Sequence, residues 1–256
     1  MPSNFIWYEL MTDDLDGAQA FYTKVVGWKP EAWGGPDMRY VIMKPEGNER
    51  GVAGLMTIPE EAASMGARPM WLGYIHAKDV DAATEGVRLA GGTVQREPTD
   101  IPQVGRFSVV SDPQGAMFMM MTPQGPDMPP VPPMTPGHVG WHELFAGEWK
   151  SAFDFYSSQF GWEKGEAMDM GDMGTYQLFK AGGDNPIGGM MTKTPDMPFP
   201  AWLFYFIVPA LDAAIASVKA GNGKILLEPM EVPGGSWVVQ CMDPQGAMFA
   251  LVSMKR

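Results

Sequence analysis

The hydrophobic pattern of the chain predicts short strands separated by amphipathic helices. Residues 5–11 predict a strand. The apolar residues that follow recur at the i, i+3, i+4 and i+7 spacing of one helix face: Ala18, Phe21, Tyr22 and Val25. Gly27 predicts the end of this helix, because glycine adopts the left-handed conformation of a C-terminal cap without a steric penalty.

The same order of elements then occurs a second time. Strands are predicted near 40–44 and 51–57, and a new strand at 71–76. A second helix has apolar positions at Val80, Ala83 and Val87, and Gly91 follows it. Strands at 106–110 and 116–121 complete the pattern. The first part of the chain therefore predicts two units of the form βαβββ.

An internal duplication extends this prediction to the whole chain. The heptapeptide DPQGAMF occurs at 112–118 and again at 243–249. The pattern W-x-E-L-x7-A-x2-F-Y-x4-G-W runs without gaps over 7–28 and again over 141–162. The two halves are therefore copies of one ancestral domain, and the chain is predicted to contain four βαβββ units. The Asp-Pro-Gln-Gly of each heptapeptide predicts a type I turn that starts at Asp112 or Asp243.

A proline-rich segment separates the two copies. Seven prolines fall between Thr122 and Gly137, and such segments act as extended spacers. We therefore predict a first domain at 1–122, a linker at 123–137 and a second domain at 138–256, in a chain of 256 residues. A domain of about 120 residues is large enough to bury a core of its own.

Composition narrows the classes of partner and compartment. The net charge of -12 argues against nucleic acid, because binding to its phosphate backbone rests on clustered Lys and Arg. No apolar run is long enough to predict a membrane span, and the N-terminus lacks a signal-peptide pattern. The lone Cys241 excludes an intramolecular disulfide and predicts a buried apolar position. These features predict a cytoplasmic protein without a nucleic-acid or membrane partner.

The repeated motifs resemble one known family. An acidic helix start at Asp14, the Phe-Tyr and Gly-Trp pairs of 21–28 and 155–162, and the Asp-Pro-x-Gly turns are similar to motifs of the vicinal oxygen chelate superfamily. This superfamily includes glyoxalase I, bleomycin resistance proteins and extradiol dioxygenases. The resemblance implies an α+β fold in which four βαβββ units form two paired glyoxalase-like domains. It also implies a curved eight-stranded sheet around a cup in each domain, where many members hold a divalent metal.

The resemblance further implies four metal-ligand positions in each domain, supplied in other members by His, Gln or Glu. We place the first on Trp7 and Trp141. The other positions fall in 51–56 and 186–191, on Leu72 and Leu203 or one residue earlier on Trp71 and Trp202, and on Met119 and Ala250. Divalent metals require imidazole, carboxylate or thiolate ligands, which these residues do not supply. We therefore predict no metal site of the family type and no cofactor.

The duplicated Trp-x-Glu of the first strand is the main candidate site. Strand alternation places Trp7 and Glu9 on one face, and Trp141 and Glu143 on the equivalent face. If this face lines the cup, Glu9 and Glu143 could act as general bases or hold a cationic ligand. A purely structural Glu, bonded to backbone or to an Arg, is the alternative.

Four other residues are candidates for ligand contact. Tyr74 and Tyr205 supply aromatic surface at equivalent positions of the two copies. Arg106 matches Trp237, so one cup could carry a cation where the other carries an aromatic ring. His142 has no counterpart in the first copy and is either an asymmetric site residue or a structural histidine.

Three hypotheses about function follow. The first is a protein that binds a small organic molecule in its cups, as bleomycin resistance proteins do. The second is a metal-independent lyase, isomerase or hydroxylase-like enzyme with Glu9 or Glu143 as the base. The third is a non-catalytic scaffold whose cups are filled by side chains. The duplication is compatible with a monomer whose halves are related by a pseudo-twofold axis and with a homodimer.

Overall fold

The computed structural model describes residues 3–34, 39–125 and 131–256. In its first half the predicted order of strand, helix and three strands occurs twice. The elements of the first unit are β1 (Phe5–Thr12), α1 (Leu15–Val25), β2 (Lys29–Trp33), β3 (Tyr40–Lys44) and β4 (Ala53–Thr57). A short helix α2 (Glu60–Ser64) follows, and the second unit contains β5 (Met70–His76), α3 (Val80–Leu89), β6 (Thr93–Ile101), β7 (Gly105–Ser111) and β8 (Met117–Pro123).

The second half repeats this order. Its first unit contains β9 (Val139–Ala146), α4 (Trp149–Phe160), β10 (Glu163–Asp169), β11 (Thr175–Lys180) and β12 (Gly188–Thr192), with one 3-10 turn at Gly171–Met173. Its second unit contains β13 (Ala201–Ile207), α5 (Leu211–Ala220), β14 (Lys224–Val232), β15 (Ser236–Met242) and β16 (Met248–Ser253). The prediction of four βαβββ units is confirmed.

The strands form two eight-stranded mixed sheets. One has the order β2-β3-β4-β1-β5-β8-β7-β6 and the other the order β10-β11-β12-β9-β13-β16-β15-β14. The pairs β1–β4, β5–β8, β9–β12 and β13–β16 are parallel, whereas the other strand pairs described within the four units are antiparallel. The edge strands β6 and β14 contain Glu97-Pro98 and Glu228-Pro229. Proline at an edge removes a donor that no neighbouring strand needs.

The sequence did not locate two elements of the first half, β2 and α2, for a physical reason. All five residues of β2 are exposed, so this edge strand has no alternation between apolar and polar positions. Helix α2 is a single short turn with no buried residue. Hydrophobic periodicity identifies elements that contribute to a core, and neither of these does.

The chain packs as two compact bodies that do not follow its two halves. Body 1 comprises the described parts of 1–6, 72–129 and 141–202, and body 2 those of 7–71, 130–140 and 203–256. Each body therefore combines one βαβββ unit from each half of the sequence. The boundaries predicted from the linker at 123–137 divide the chain differently.

An aromatic cluster forms the core of body 2. The Tyr22 ring contacts the Trp71 ring edge-on at a centroid distance of 5.2 Å, and Phe206 contacts Trp28 at 5.0 Å. The Trp28 indole N–H donates to the carbonyl of Gly137 at 2.7 Å, which satisfies its one polar atom. Burying one large apolar side chain contributes roughly 1.5–3 kcal/mol. Helices α1 and α5 pack together above this cluster.

Body 1 contains the equivalent cluster. Tyr156 stacks on Trp162 at 5.1 Å, and Trp162 stacks on Phe179 at 4.5 Å. The Trp162 indole N–H donates to the Ser3 carbonyl at 2.6 Å, so this indole is also satisfied. Helices α3 and α4 pack together in this body. The duplicated Phe-Tyr and Gly-Trp pairs are therefore core positions in both bodies.

Cys241 is fully buried, and burial raises the pKa of its thiol to about 12, so the thiol remains protonated near neutral pH.

Across the described ranges, no helix combines the length and the apolar character that a membrane crossing requires.

Candidate functional site

Three side chains of body 2 form a hydrogen-bonded chain on the sheet face that the sequence singled out. The Trp7 Nε1–H donates to the Tyr40 hydroxyl oxygen at 3.0 Å, and the Tyr40 O–H donates to Glu9 Oε2 at 3.0 Å. Glu9 is only 5% exposed, whereas Trp7 and Tyr40 are half-buried. We call these three residues the Trp-Tyr-Glu cluster.

Glycine in β4 makes this arrangement sterically feasible. Gly54 lies opposite Glu9 in the parallel β1–β4 pair and opposite Ile42 in the antiparallel β3–β4 pair. A Cβ atom at position 54 would overlap the Tyr40 hydroxyl oxygen. The missing side chain therefore lets the Tyr40 ring lie across β4 and reach Glu9 on β1.

The second half repeats this geometry in body 1. The Trp141 Nε1–H donates to the Tyr176 hydroxyl oxygen at 2.8 Å. Gly189 lies opposite Glu143 in the β9–β12 pair, and a Cβ atom there would overlap the Tyr176 ring. Glu143 is 6% exposed, close to the value for Glu9. The Trp-Tyr hydrogen bond, the glycine and the buried carboxylate were therefore duplicated together with the sequence.

The electrostatic environment fixes the role of the Tyr40 hydroxyl. Burial, together with the charge of Glu9, raises the pKa of Tyr40 well above its usual value. The phenol is therefore protonated at physiological pH and acts as a donor to Glu9. A hydrogen bond donated to a carboxylate favours its charged form, which is the form that binds a cation or a donor group.

On body 1, Tyr74 lies in an apolar row of three strands. It is opposite Met119 on β8, and Met119 is opposite Val109 on β7. The Phe107 ring lies 6.2 Å from the Tyr74 ring, and the Arg96 guanidinium lies 5.2 Å above Phe107. Arg96 therefore places a cation against the ring of Phe107, which lies on the same face as this row.

On body 2, Tyr205 lies in the equivalent row, which is polar. It is opposite Ala250 on β16, and Ala250 is opposite Gln240 on β15. The Gln240 Nε2–H donates to the Tyr205 hydroxyl at 3.1 Å. The two tyrosines that the sequence identified thus occupy equivalent positions with different neighbours.

The position of Arg106 differs from the expectation. Its guanidinium binds both carboxylate oxygens of Asp81, at 2.7 and 2.9 Å, and Asp100 at 3.1 Å. Asp81 lies in the first turn of α3, and Ser108 on the same face of β7 bonds to Thr84 of that helix. Strand alternation places Arg106 on the helix face, so Phe107 rather than Arg106 shares a face with Tyr74.

His142 also lies on the helix face of its strand, opposite to Trp141 and Glu143. Its ring stacks on Phe5 with a centroid distance of 4.4 Å, and its Nδ1 lies 2.7 Å from the Ile187 carbonyl oxygen. Burial lowers the pKa of His142 to about 4, so the ring is neutral at physiological pH. The structure does not bring His142 together with the Trp-Tyr-Glu arrangement.

The Asp-Pro-Gln-Gly turns adopt the predicted conformation and have a further contact. The Gly115 N–H donates to the Asp112 carbonyl at 3.0 Å, which closes the turn. Asp112 Oδ1 accepts from the backbone N–H groups of Gln114 and Ala116, while Oδ2 accepts from the Tyr156 hydroxyl at 3.2 Å. Asp243 makes the same set of contacts, with Tyr22 as the hydroxyl donor at 3.0 Å.

Two surface hollows lie beside these turns. The larger, about 340 Å³, is lined by residues that include Gln114, Ser151 and Asp154. The smaller, about 250 Å³, is its counterpart and includes Gly17, Lys24 and Gln245. Neither contains a residue of the Trp-Tyr-Glu cluster or its copy. Within the described ranges, no group of three or more His, Cys, Asp or Glu side chains is arranged to hold a metal ion.

The sequence matches one family twice. The family described as "Glyoxalase/Bleomycin resistance protein/Dioxygenase superfamily" matches residues 4–120 and 135–251. The chain belongs to this superfamily. Each match covers one half of the duplication and contains one copy of the Trp-x-Glu motif.

Relatives in this superfamily cover nearly the whole chain. The chain is 32% identical over 248 residues to "Putative glyoxylase CFP32" of Mycobacterium tuberculosis and Mycobacterium bovis, covering 96% of this chain and 93% of the relative. It is 28% identical over 262 residues to "Anthracycline biosynthesis protein DnrV" of Streptomyces peucetius, covering 97% of this chain and 92% of the relative. The tandem organisation is therefore shared along the full length.

Solved structures of the superfamily have the same fold. The Mn(II)-bound glyoxalase from Novosphingobium aromaticivorans aligns with a TM-score of 0.68 at 17% identity, covering all of this chain and 83% of that chain. The 2,3-dioxygenase LapB from Pseudomonas sp. KL28 aligns with a TM-score of 0.67 at 11% identity, covering 98% of this chain and 91% of that chain. These alignments establish the architecture of two paired domains.

Sequence reasoning located Trp7 and Glu9 but missed the tyrosine that joins them. The signal was present, because Tyr40 and Tyr176 occupy equivalent positions of the duplication. Gly54 and Gly189 are equivalent in the same way. Gln240 offered no such signal, since its counterpart Val109 is apolar.

Proposed function

We propose that this member of the superfamily binds a small organic molecule in each of two cups, without the metal of the family type. The Trp-Tyr-Glu cluster is the observation that carries the proposal. It presents a buried carboxylate beside aromatic surface, on the face of β1 opposite to Leu10, which is fully buried. Trp7 supplies aromatic contact for the body of the ligand, and Glu9 accepts from its ammonium or hydroxyl group.

The negative charge of the Glu9 carboxylate determines which group of a ligand would bind to the Trp-Tyr-Glu cluster. A carboxylate that is 5% exposed costs free energy to desolvate, and a cation or a strong donor offsets that cost. Tyr40 supplies one donor to Glu9, and a ligand ammonium would supply a charge-assisted hydrogen bond in addition. We therefore favour ligands with an apolar ring system and one cationic or hydroxyl group.

The residues of this chain do not fit the metal that many family members hold. On the face of β1 that carries the Trp-Tyr-Glu cluster, Glu9 is a carboxylate. The residue opposite to it on β4 is Gly54, which has no side chain to bind a metal. The expected ligand position on β5 is Leu72, because Trp71 lies on the other face and donates to the Tyr22 hydroxyl. Met119 takes the position on β8. One carboxylate already bound to a phenol does not make a site for a divalent cation.

The printed names of the relatives are in keeping with a small-molecule role. CFP32 is named as a glyoxylase and DnrV as a protein of anthracycline biosynthesis, so both names refer to small organic compounds. From these names we infer only that the ligand of this chain is a small organic compound.

A metal-independent lyase, isomerase or hydroxylase-like reaction is the second candidate, and one contact favours it. The Tyr40 O–H donates to Glu9 Oε2 at 3.0 Å, so it orients the carboxylate and favours its ionised form, which is the form that accepts a proton from a substrate. In this reading Glu9 and Glu143 are the general bases, and Tyr40 and Tyr176 are positioning residues.

Calorimetric titration with matched probes tests the binding proposal. The probes are 2-naphthylmethylammonium, 2-naphthylmethanol and 2-methylnaphthalene, each in the presence of EDTA. We expect the ammonium to bind most tightly and the hydrocarbon most weakly. Glu9→Gln and Glu143→Gln should each weaken the ammonium by roughly 1–3 kcal/mol at one site. Glu46→Gln is the control, because Glu46 is exposed.

Three results would contradict the proposal. A stoichiometric amount of Mn, Ni, Zn or Fe in the purified protein, measured by elemental analysis, would contradict the absence of metal. A lower melting temperature in Glu9→Gln with unchanged affinity would assign the carboxylate a structural role. Failure of all three probes to bind would favour a scaffold whose cups are filled.

A further inference from the structure

The row formed by Tyr205, Ala250 and Gln240 has a property that its counterpart lacks. The three residues lie side by side on β13, β16 and β15, with alanine in the middle. Because the alanine side chain is a single methyl group, the Gln240 amide crosses above it and bonds to the Tyr205 hydroxyl at 3.1 Å. Tyr205 is 5% exposed and Gln240 is half-buried, so this polar pair is partly desolvated.

The counterpart row in body 1 has apolar side chains at the middle and last positions. Tyr74, Met119 and Val109 lie side by side on β5, β8 and β7 in the same register. Met119 is 1% exposed and places a long apolar side chain where the other row has the methyl group of Ala250. Val109 has no hydrogen-bonding group. The duplication therefore produced two rows with the same register and a tyrosine in each, which differ at the middle and last positions.

Placing a polar side chain at position 240 has a free-energy cost, and this cost indicates a functional role for Gln240. A polar side chain beside an apolar strand face is stabilising only when its hydrogen bonds are satisfied, so valine would be the simpler residue at position 240. Gln240 and Tyr205 both carry donors and acceptors and can exchange their mutual hydrogen bond for bonds to a ligand carbonyl. A site that binds a polar group discriminates strongly against ligands without it.

We propose that Gln240 and Tyr205 form a recognition site for a ligand carbonyl group, whereas the row of Tyr74, Met119 and Val109 accepts only apolar ligand surface. The two cups of the chain accordingly differ in specificity, and Ala250 is the residue that admits the polar group. This inference rests on the proposed function, because it names the chemistry that distinguishes one ligand site from the other.

A pair of probes that differ only in the carbonyl tests the inference in the full chain. We use 2-acetylnaphthalene and 2-ethylnaphthalene in calorimetric titrations. The wild-type protein should have one site that prefers the ketone by roughly 2- to 10-fold, the value of one net hydrogen bond, and one site without preference. Gln240→Val should abolish the preference and leave the affinity for 2-ethylnaphthalene unchanged or higher.

Further variants keep the test decisive. Ala250→Met should also abolish the preference, but Ala250 is fully buried and the larger side chain could destabilise the fold. Gln240 is half-buried, so Gln240→Val provides the answer if Ala250→Met unfolds. Val109→Gln combined with Met119→Ala should give the second site a preference for the ketone.

The outcomes separate this inference from the function on which it rests. Binding of both probes with the same ratio of affinities in wild type and Gln240→Val would overturn the carbonyl site and leave the proposed function intact. If neither probe binds, the result would overturn the proposed function and the carbonyl site together.

Discussion

The Tyr22 hydroxyl donates a hydrogen bond of 3.0 Å to Asp243 Oδ2, although the two residues are 221 positions apart in the chain. The same hydroxyl accepts the indole N–H of Trp71 at 2.8 Å. Tyr22 belongs to the repeated Phe-Tyr pair and Asp243 to the repeated Asp-Pro-Gln-Gly turn. Two motifs of the duplication therefore meet inside body 2, one from each half of the sequence.

Removing this hydroxyl should destabilise the protein. Tyr22→Phe removes the hydroxyl that Asp243 Oδ2 and the Trp71 N–H both contact, which should cost about 1–3 kcal/mol in the free energy of unfolding. Urea denaturation measures this loss. Tyr156→Phe is the matched variant in body 1, where Tyr156 links Trp202 to Asp112. An unchanged unfolding midpoint in both variants would show that these contacts do not stabilise the fold.

The composition of the bodies predicts how a divided chain behaves. Because each body takes residues from both halves, fragments 1–125 and 131–256 should associate in equal amounts when they are expressed together. Gly137 stays in the second fragment, since its carbonyl accepts from Trp28. Size-exclusion chromatography and native mass spectrometry measure the complex. Tyr22→Phe in the first fragment should weaken it, and elution of separate fragments without mutation would refute the prediction.

Local patterns in the sequence identified the fold but could not identify every neighbour. Helix α1 buries Ala18, Phe21, Tyr22 and Val25, the same residues that the spacing placed on one face. A helical face and a strand face are local properties, so they can be inferred from consecutive residues. The duplication then supplied an independent check on each element.

The candidate site depends on register between strands, which consecutive residues do not reveal. Trp7 and Glu9 were placed on one face by alternation along β1, whereas Tyr40 reaches them only because β4 lies between β1 and β3 with Gly54 in register. The expectation for Arg106 differed from the structure because the phase of alternation along β7 could not be fixed from the sequence. Contacts of this kind require the sheet topology.

His142 should make the stability of the protein depend on pH in a defined window. Its pKa is about 4 in the folded chain, whereas an unfolded histidine titrates near about 6.5. Between these values the unfolded chain binds a proton that the folded chain does not. The contribution of His142 is therefore complete above about pH 6.5 and is lost as the pH falls toward about 4, by on the order of 3 kcal/mol.

Comparison with His142→Phe isolates this contribution. Phenylalanine keeps a ring that can stack on Phe5 but does not titrate. Asp112 and Asp243 titrate in both proteins and cancel in the difference. The free-energy difference between wild type and variant, measured by urea denaturation, should shift by that amount in favour of the variant between about pH 7 and pH 4. A constant difference over this range would show that His142 is not the buried neutral group described here.

Gly54→Ala should disable the Trp-Tyr-Glu cluster without changing any of its three residues. A Cβ atom at position 54 overlaps the Tyr40 hydroxyl, so the phenol must leave Glu9 and Trp7. We expect the affinity for 2-naphthylmethylammonium to fall at one site by about 5-fold or more, in proportion to a lost hydrogen bond of about 1 kcal/mol. Gly183→Ala is the control, because a Cβ atom there meets no neighbouring atom within 4 Å.

A double variant distinguishes loss of the cluster from loss of the fold. Tyr40→Ala in the Gly54→Ala background removes the overlapping ring, so it should recover the melting temperature that the overlap lowers. It should not recover affinity, because Glu9 still lacks its phenol donor. Gly189→Ala makes the equivalent change beside Tyr176 and should affect the second site alone. If the double variant binds the ammonium as tightly as wild type, the Tyr40–Glu9 contact has no part in ligand binding.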